Sequence, residues 1–232
     1  MRFLCATALL PVGVFAQSRP SVPQGAALRL HIVSSIQGVQ RDVPGVIWLE
    51  PLEGTAVLPF VPQGHYTLLQ KDRTFVPHLQ VIPVGSVVQF PNADPFFHNV
   101  FSLFDGRRFD LGLYEAGSSK SVTFPREGVS YIFCNIHPEM SAVVLSLSTP
   151  LYAIAEKGDS FDLRDIPPGD YKLHFWIEGV SQSISTGLTR RLHLQSGLSD
   201  LGNVKAPIMR SAEQKHQNKF GAAYDRDHVP PY

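Results

Sequence analysis

The chain has 232 residues, which is long enough for one large β-domain or two small ones. It carries 20 basic and 20 acidic residues, so its formal net charge is zero; 44% of its residues are hydrophobic and 17% are charged. This balance excludes the broad basic field that attracts nucleic acid or anionic lipid. We therefore expect no nucleic-acid partner, and expect partners to be recognised through shape and local patches.

The first 16 residues have the pattern of an export signal. Arg2 supplies a short positive end, residues 3–15 are mostly apolar, and Ala16 ends a small-residue cleavage site before Gln17. The apolar run is shorter than the ~20 residues that span a bilayer. We expect residues 1–16 to be a signal peptide, the mature chain to have no transmembrane segment, and the location to be periplasmic or secreted. An uncleaved N-terminal anchor is the alternative.

From Ala27 onward, short apolar or alternating runs are separated by Gly, Pro, Asn and Asp, and helical periodicity is nearly absent. This pattern is typical of sandwiches and barrels of antiparallel strands, so we predict an all-β fold. A first domain is predicted over residues 27–147. Its predicted strands are 28–33, 46–49, 66–70, 78–83, 86–90, 98–102, 121–124, 128–133 and 142–147.

A second block of apolar runs follows Thr149 and Pro150. We predict a small β-module over residues 148–198, with strands at 151–155, 160–163, 171–177 and 192–194. Residues 166–170 contain two prolines and a glycine, which suit a sharp chain reversal. Residues 199–232 are polar and lack the periodic apolar residues that form a core, so we predict an extended C-terminal tail.

The cysteine content is informative because the sequence has two cysteines and the predicted signal removes one of them. Loss of Cys5 leaves Cys134 alone in a chain destined for an oxidising compartment, where it can form no internal disulfide. A lone thiol there needs a chemical reason to be kept. Metal binding, a nucleophilic role and burial as a small apolar group are the three candidates.

Four residues together favour the metal. Cys134, His137 and Met140 are spaced C-x2-H-x2-M between two predicted strands, and His98 begins another predicted strand. A thiolate, two imidazoles and a thioether suit copper, because two His and one Cys with a weak axial Met form the blue-copper electron-transfer site. We predict that these four residues bind one type 1 copper ion.

The same residues resemble a known family, the cupredoxins, with the short ligand loop of their amicyanin-like members. The His98-Asn99-Val100 segment and residues 84–94 are similar to the family's first-ligand strand and the segment before it. The resemblance implies a Greek-key β-sandwich, and it implies that Asn99 braces the cysteine loop by hydrogen bonding. An insertion at residues 101–119 is similar to bacterial plastocyanin-like proteins, of the methylamine utilization type, that carry an added C-terminal module.

The second block resembles the carboxypeptidase-regulatory-like or transthyretin-like β-module. Residues 158–173 read G-x-x-F-x-L-x-x-I-P-P-G-x-Y-x-L, which is similar to its pattern. The resemblance implies a small Ig-like module that follows the copper-binding sandwich and lacks catalysis of its own. It would serve as a spacer, a docking surface or a carbohydrate contact.

The sequence therefore predicts an exported one-electron carrier that is not an enzyme and that meets a redox partner such as a cytochrome or a dehydrogenase. Cys134 would supply the main electronic route, His98 and His137 the equatorial nitrogens, and Met140 the axial contact. His137, on the loop, would be the electron port. The leading alternative is a periplasmic copper store, chaperone or sensor, and a third is an envelope module with a vestigial site.

Other chemistries fit the same residues less well. Zinc accepts Cys and His, but Met is a poor zinc ligand. A Cys134-His137 nucleophilic dyad lacks an obvious orienting Asn or Asp. The aromatic run around His98 fits either a copper shield with a docking face or ordinary core; it consists of Phe96, Phe97, Phe101, Phe104 and Phe109. For His78 we expect a polar role at the surface or in the core, and not a position near copper.

Overall fold

The computed structural model describes residues 25–36, 38–103, 106–156, 160–208 and 218–222. The expected signal peptide at 1–16 lies outside these ranges, as do Phe104, residues 157–159 and most of the expected tail. No helix within these ranges is both long enough and apolar enough to cross a membrane.

The described residues form 18 strands and one short helix, which confirms the all-β prediction. The first nine strands are β1 (Ala26–Ile36), β2 (Val39–Gln40), β3 (Gly45–Pro51), β4 (Tyr66–Thr67), β5 (Leu69–Lys71), β6 (Thr74–Val76), β7 (Leu79–Pro83), β8 (Val87–Pro91) and β9 (His98–Ser102). The other elements are β10 (Phe109–Tyr114), β11 (Ser119–Thr123), β12 (Gly128–Cys134), β13 (Ser141–Leu147), β14 (Tyr152–Ala155), β15 (Ser160–Ile166), β16 (Gly169–Ile177), α1 (Gln182–Leu188), β17 (Arg190–Leu194) and β18 (Gly197–Pro207).

Strands β4 to β13 form one sandwich, which we call the inserted sandwich. One sheet has the order β10-β9-β12-β13-β7, the other has the order β11-β8-β4, and β5 and β6 pair as a hairpin. Alternation along β8 sends Val88 and Phe90 into the core between the sheets and leaves their neighbours partly exposed. Cys134 and Met140 belong to the same buried cluster, so the C-x2-H-x2-M loop lies at one end of this core.

The remaining strands form a second sandwich, which we call the outer sandwich. One sheet has the order β15-β1-β18 with β2 on the edge of β1, and the other has the order β14-β3-β16-β17. Strand β1 alternates buried and half-buried residues over most of its length, as expected of a strand with one face on a core. Ala26, Leu28 and Leu30 are fully buried in that core.

The strand pairing corrects the expected domain boundaries of 27–147 and 148–198. Strands β1 and β3 precede the inserted sandwich in the chain, yet they pair with β15, β16 and β18, which follow it. The expected module therefore does not simply follow the inserted sandwich. The chain leaves the outer sandwich after β3 and returns at β14, and these two strands are hydrogen-bonded neighbours, which is the geometry that permits an insertion.

The expected tail at 199–232 also needs correction, because residues 197–207 form β18. This strand pairs in parallel with β1, from Ala26 opposite Gly197 to Ser35 opposite Pro207. Its Gly, Asn, Asp and Pro residues have low strand propensity, so the sequence gives little sign of a strand. Only Val204 and Ala206 within it are buried. The sequence also failed to predict β10 and α1, whose first turn is capped by the Ser181 hydroxyl.

The two sandwiches share a third apolar cluster. Strand β13 is buried on both faces: Ala142 and Val144 point into the inserted core, while Val143 and Leu145 point towards the outer sandwich. There they meet residues of β3 and β16, including Val46 and Trp176. Burial on both sides explains the nearly continuous apolar run of residues 142–147.

Candidate metal centre

Two neighbouring strands and one loop bring the predicted ligands together. His98 is the first residue of β9, and Cys134 is the last residue of β12, which pairs with β9 so that Cys134 lies opposite Val100. His98 and Val100 are two residues apart and therefore lie on the same face of β9. His137 is in the loop that joins β12 to β13. His98 and Cys134 are fully buried, and His137 is half-buried.

The three side chains converge on a common centre. Cys134 Sγ lies 3.6 Å from His98 Nδ1 and 3.5 Å from His137 Nδ1, and the two nitrogens are 3.2 Å apart. The point equidistant from three atoms at these separations is about 2.0 Å from each. Bonds from a metal ion to imidazole nitrogen and thiolate sulfur are about 2.0 and 2.3 Å, so the three atoms fit one ion.

Backbone hydrogen bonds within the loop that carries His137 hold its two ends together. Met140 N donates to His137 O at 3.0 Å, and Cys134 N donates to Met140 O at 3.2 Å. Asn135 N donates to Asn99 O at 2.8 Å, which fixes the loop to β9. Asn99 thus braces the cysteine loop as expected, but through its carbonyl group, because its side-chain amide donates to Asp110 instead.

Met140 lies at the end of this closed loop. Its side chain is 1% exposed and belongs to the buried cluster that contains Cys134. The backbone bonds to Cys134 and His137 place it beside the two loop ligands. Its thioether is therefore a candidate for a fourth, weaker contact with an ion held by the other three side chains.

A buried carboxylate orients His98 from behind. Asp94 Oδ2 accepts from His98 Nε2 at 2.9 Å, and both side chains are at most 4% exposed. A carboxylate can only accept, so Nε2 carries the proton and Nδ1 presents a lone pair towards Cys134. The sequence pointed to Asp94 only as part of the segment before β9, although its spacing of four residues from His98 was visible.

Asp94 is itself held by the turn between β5 and β6. The backbone amides of Asp72 and Arg73 donate to its two oxygens at 2.6 and 3.1 Å. Both turn residues have left-handed φ angles, 54° and 55°, a conformation that costs free energy in residues other than Gly. The turn is thus shaped to present two adjacent amides to Asp94.

The pKa shifts of this pair follow from burial and hydrogen bonding. Burial alone would raise the pKa of Asp94, but hydrogen bonds from Arg73 and His98 outweigh it and hold the pKa below its ordinary value. Burial lowers the pKa of His98, and Asp94 opposes this only in part. His98 is therefore a neutral imidazole near neutral pH, the form that binds a metal ion.

Burial also shifts the pKa values of Cys134 and His137. Burial raises the pKa of the Cys134 thiol, although the backbone amides of Asn99, Ile136 and His137 favour the thiolate. Burial, with the neighbouring His98, lowers the pKa of His137 to about 4. Without a cation at the centre, the thiol and both imidazoles are therefore neutral. A bound cation would displace the thiol proton, so its binding releases a proton.

The aromatic run divides between the two expected roles. The Phe96 ring lies 5.3 Å from the rings of both His98 and His137, and the Arg73 guanidinium lies over it. Phe97 is 50% exposed, whereas Phe101 is fully buried. Phe96 therefore shields the centre from water, Phe97 contributes to the surface beside it, and Phe101 is core.

The other described histidines do not belong to this cluster. His78 bridges Ser141 O at 3.1 Å and Glu178 Oε1 at 2.8 Å, which is the polar role expected of it. His174 and His193 pair with Glu50 and Asp170 in the outer sandwich. Within the described ranges, His98, Cys134 and His137 form the one group of His, Cys, Asp or Glu side chains arranged to hold an ion.

Comparison with solved structures finds copper proteins. A Cu-containing nitrite reductase from Thermus scotoductus is 24% identical, with 42% of this chain and 25% of the reductase covered and a TM-score of 0.34. A purple cupredoxin from Nitrosopumilus maritimus is 23% identical, with 37% and 100% covered and a TM-score of 0.32. Amicyanin from Paracoccus versutus is 21% identical, with 38% and 85% covered and a TM-score of 0.32.

The chain spans about a quarter of the nitrite reductase's length. No protein-family model matches the sequence, and no curated protein matches it.

Proposed function

We propose that this protein is an exported type 1 copper protein that carries single electrons, with His98, Cys134, His137 and Met140 as ligands. The observation that carries the proposal is the convergence of two imidazole nitrogens and one buried thiol at separations that fit a single ion. Copper bound there would supply a one-electron couple between its two oxidation states.

The donor set favours copper over zinc. Structural zinc sites take four strong ligands in a tetrahedron, and catalytic zinc sites keep a position open to water. Here the fourth candidate is the thioether of Met140, and the centre is walled by buried residues and the Phe96 ring. Three strong donors with one weak sulfur match the trigonal blue-copper arrangement.

The surrounding residues favour fast electron exchange because they fix the ligands in place. Asp94 holds the ring of His98, and the backbone bonds of the loop hold Cys134 and Met140. Ligands that cannot move keep one geometry in both oxidation states, so little reorganisation opposes each transfer. His137 is the most exposed of the four and is our candidate electron port.

We further propose that residues 1–16 direct export to the periplasm or the exterior, and that the partner is a redox protein such as a cytochrome or a dehydrogenase. In this proposal the protein itself is not an enzyme. The inserted sandwich would serve as the copper-binding domain, and the outer sandwich, with its regulatory-module-like sequence at 158–173, as its support.

The proposal has an optical test. The metal-free full chain should take up one equivalent of Cu(II), turn intensely blue and bleach on reduction. Cys134→Ser should abolish the visible absorption, because the colour depends on the copper–thiolate bond. Met140→Leu is the matched variant: it should keep the colour and change the reduction potential, since the axial ligand tunes that potential.

A colourless Cu(II) complex of the wild-type protein would overturn the proposal. Retention of the blue band in Cys134→Ser would overturn the ligand assignment. Rapid, reversible electron exchange with a cytochrome supports the carrier, whereas net loss of copper to a metal-free acceptor in the same mixture would contradict that role.

A further inference from the structure

A short C-terminal segment, residues 218–222, lies against the ligand loop. Lys219 N donates to Asn135 Oδ1 at 2.9 Å, and Lys219 Nζ donates to Asp110 Oδ2 at 2.8 Å. The Lys219 side chain is only 24% exposed. Asn135 directly follows the proposed ligand Cys134, so the segment contacts the loop beside the centre.

The contacts of Lys219 belong to a closed network. Asp110 Oδ1 accepts from Asn99 Nδ2 at 2.7 Å and from Gly112 N at 2.9 Å, while Asn135 N donates to Asn99 O at 2.8 Å. Asn99 directly follows the proposed ligand His98. The network thus joins β10, the strand that carries His98 and the loop that follows Cys134.

The segment is shaped to present Lys219. Asn218 Oδ1 accepts from the backbone amides of Phe220 and Ala222, both at 3.0 Å, and Asn218 N donates to Ala222 O at 2.8 Å. Gly221 N also donates to Asn218 O, at 2.9 Å. These bonds close a compact turn, with Lys219 directed inward and Phe220 left 79% exposed.

We propose that residues 218–222 are a latch of the metal centre, in which Lys219 is a positioning residue that holds Asp110 and Asn135 against the strands bearing His98 and Cys134. The inference rests on the proposed copper site for its redox consequence, but the latch itself exists without a metal ion. A segment that sequence reasoning assigned to an extended tail thereby becomes part of the centre's outer support.

The latch also adds a balanced pair of charges. Burial alone would raise the pKa of Asp110, but hydrogen bonds from Lys219 and Asn99 outweigh it and keep the carboxyl charged at neutral pH. Removal of the lysine leaves a carboxylate that favours the oxidised, more positive metal ion. Removal of the carboxylate leaves an ammonium that favours the reduced ion.

The first test uses the metal-free full chain. Hydrogen–deuterium exchange of peptides that cover Asn99 and Asn135 should be several-fold faster in Lys219→Ala than in the wild type, because the bond from Asn135 to Asn99 loses its support. Lys219→Arg should restore much of the protection. Lys172→Ala, which removes a lysine from the outer sandwich, is the matched control and should leave these peptides unchanged.

The second test measures the reduction potential of the copper-loaded protein at low ionic strength. Lys219→Ala should lower the potential, Asp110→Asn should raise it, and the double variant should return towards the wild type. Loosening of the site alone would not shift the potential in opposite directions for the two single variants.

The latch proposal would be overturned by wild-type exchange rates in Lys219→Ala. It would also be overturned if the reduction potential shifted in the same direction in Lys219→Ala and in Asp110→Asn. A wild-type protein that bound no copper would instead contradict the proposed function, and the exchange measurement would still decide whether the latch exists.

Discussion

At the scale of single residues, Asp94 determines how His98 faces the centre. Its carboxylate fixes the proton on Nε2, so that Nδ1 is free to bind. The carboxylate is in turn fixed by the amides of Asp72 and Arg73. Such carboxylate–histidine pairs raise the basicity of the ligand and lock its ring orientation.

Asp94→Asn should therefore weaken Cu(II) binding by about 10- to 100-fold and raise the reduction potential. The amide can still accept from His98, but it lacks the charge that stabilises the oxidised ion. Competitive titration with a chelator and voltammetry measure the two effects. Asp162→Asn, which removes the negative charge beside Arg29 in the outer sandwich, is the control. An equal loss of affinity there would contradict the role of Asp94.

The sequence pointed to the proposed ligands but not to the residues that support them. His98, Cys134 and His137 could be proposed from the sequence because copper chemistry restricts both residue type and spacing, and the structure brings these three side chains together. Asp94 carries a weaker signal, since an acidic residue four positions before a histidine is common. Lys219 carries none, because its partners Asn135 and Asp110 are about 80 to 110 residues away in the chain.

At the scale of elements, β13 serves two cores at once. Val144 faces the core that holds Cys134, while Leu145 faces the outer sandwich and is fully buried there. Adjacent side chains on a strand point to opposite faces, so substitutions at the two positions affect different cores.

Leu145→Ala should lower the free energy of unfolding by about 2–4 kcal/mol, because it leaves a cavity between the sandwiches. Its visible absorption with copper should remain that of the wild type, since the removed atoms point away from the proposed ligands. Urea unfolding and a copper titration measure the two properties. Leu198→Ala, at a 56% exposed position on β18, is the control and should change neither property. Loss of the blue absorption in Leu145→Ala would contradict the assignment of Leu145 to the face towards the outer sandwich.

The strands that sequence reasoning found have strong alternation or unbroken apolar runs, as in β8 and β13. It missed β10, which lies within a segment interpreted as an insertion, and β18, in which more than half of the residues are exposed and only Val204 and Ala206 are buried. Pairing was harder to predict than strand content. Nothing local in β1 indicates that it pairs with β15 and β18, which lie more than a hundred residues later, because pairing depends on which apolar faces meet in space.

At the scale of the whole molecule, a polar bridge complements the apolar junction. His78, just before β7, donates to Glu178, just after β16, and Trp176 Nε1 donates to the Tyr131 hydroxyl at 3.2 Å. The hydrogen bond to Glu178 raises the pKa of His78 above its ordinary value, although burial opposes this. The protonated ring is therefore favoured when the sandwiches are docked.

This shift predicts a pH-dependent junction. Because the pKa of His78 is raised in the folded protein, its contribution is fully present below the unfolded pKa of about 6.5 and is lost as the pH rises through the higher folded value. His78→Gln should lower the stability of metal-free protein by up to about 1 kcal/mol at pH 6, since the pair is partly exposed. The deficit should shrink at pH 9.

Thermal unfolding of both proteins across that pH range measures the deficit. His193→Gln removes an exposed histidine that pairs with Asp170 within the outer sandwich, and it controls for the loss of a histidine as such. A deficit for His78→Gln that grew with rising pH would contradict the predicted sign.

The parallel pairing of β1 with β18 has a mechanical consequence. Tension applied at Ala26 and Pro207 would pull the two strands past each other, because these residues lie at opposite ends of the ladder. All of its hydrogen bonds would then resist together instead of opening one by one. The inserted sandwich lies within the loop of chain that this ladder closes, so the proposed copper ligands would bear no tension until the ladder had sheared.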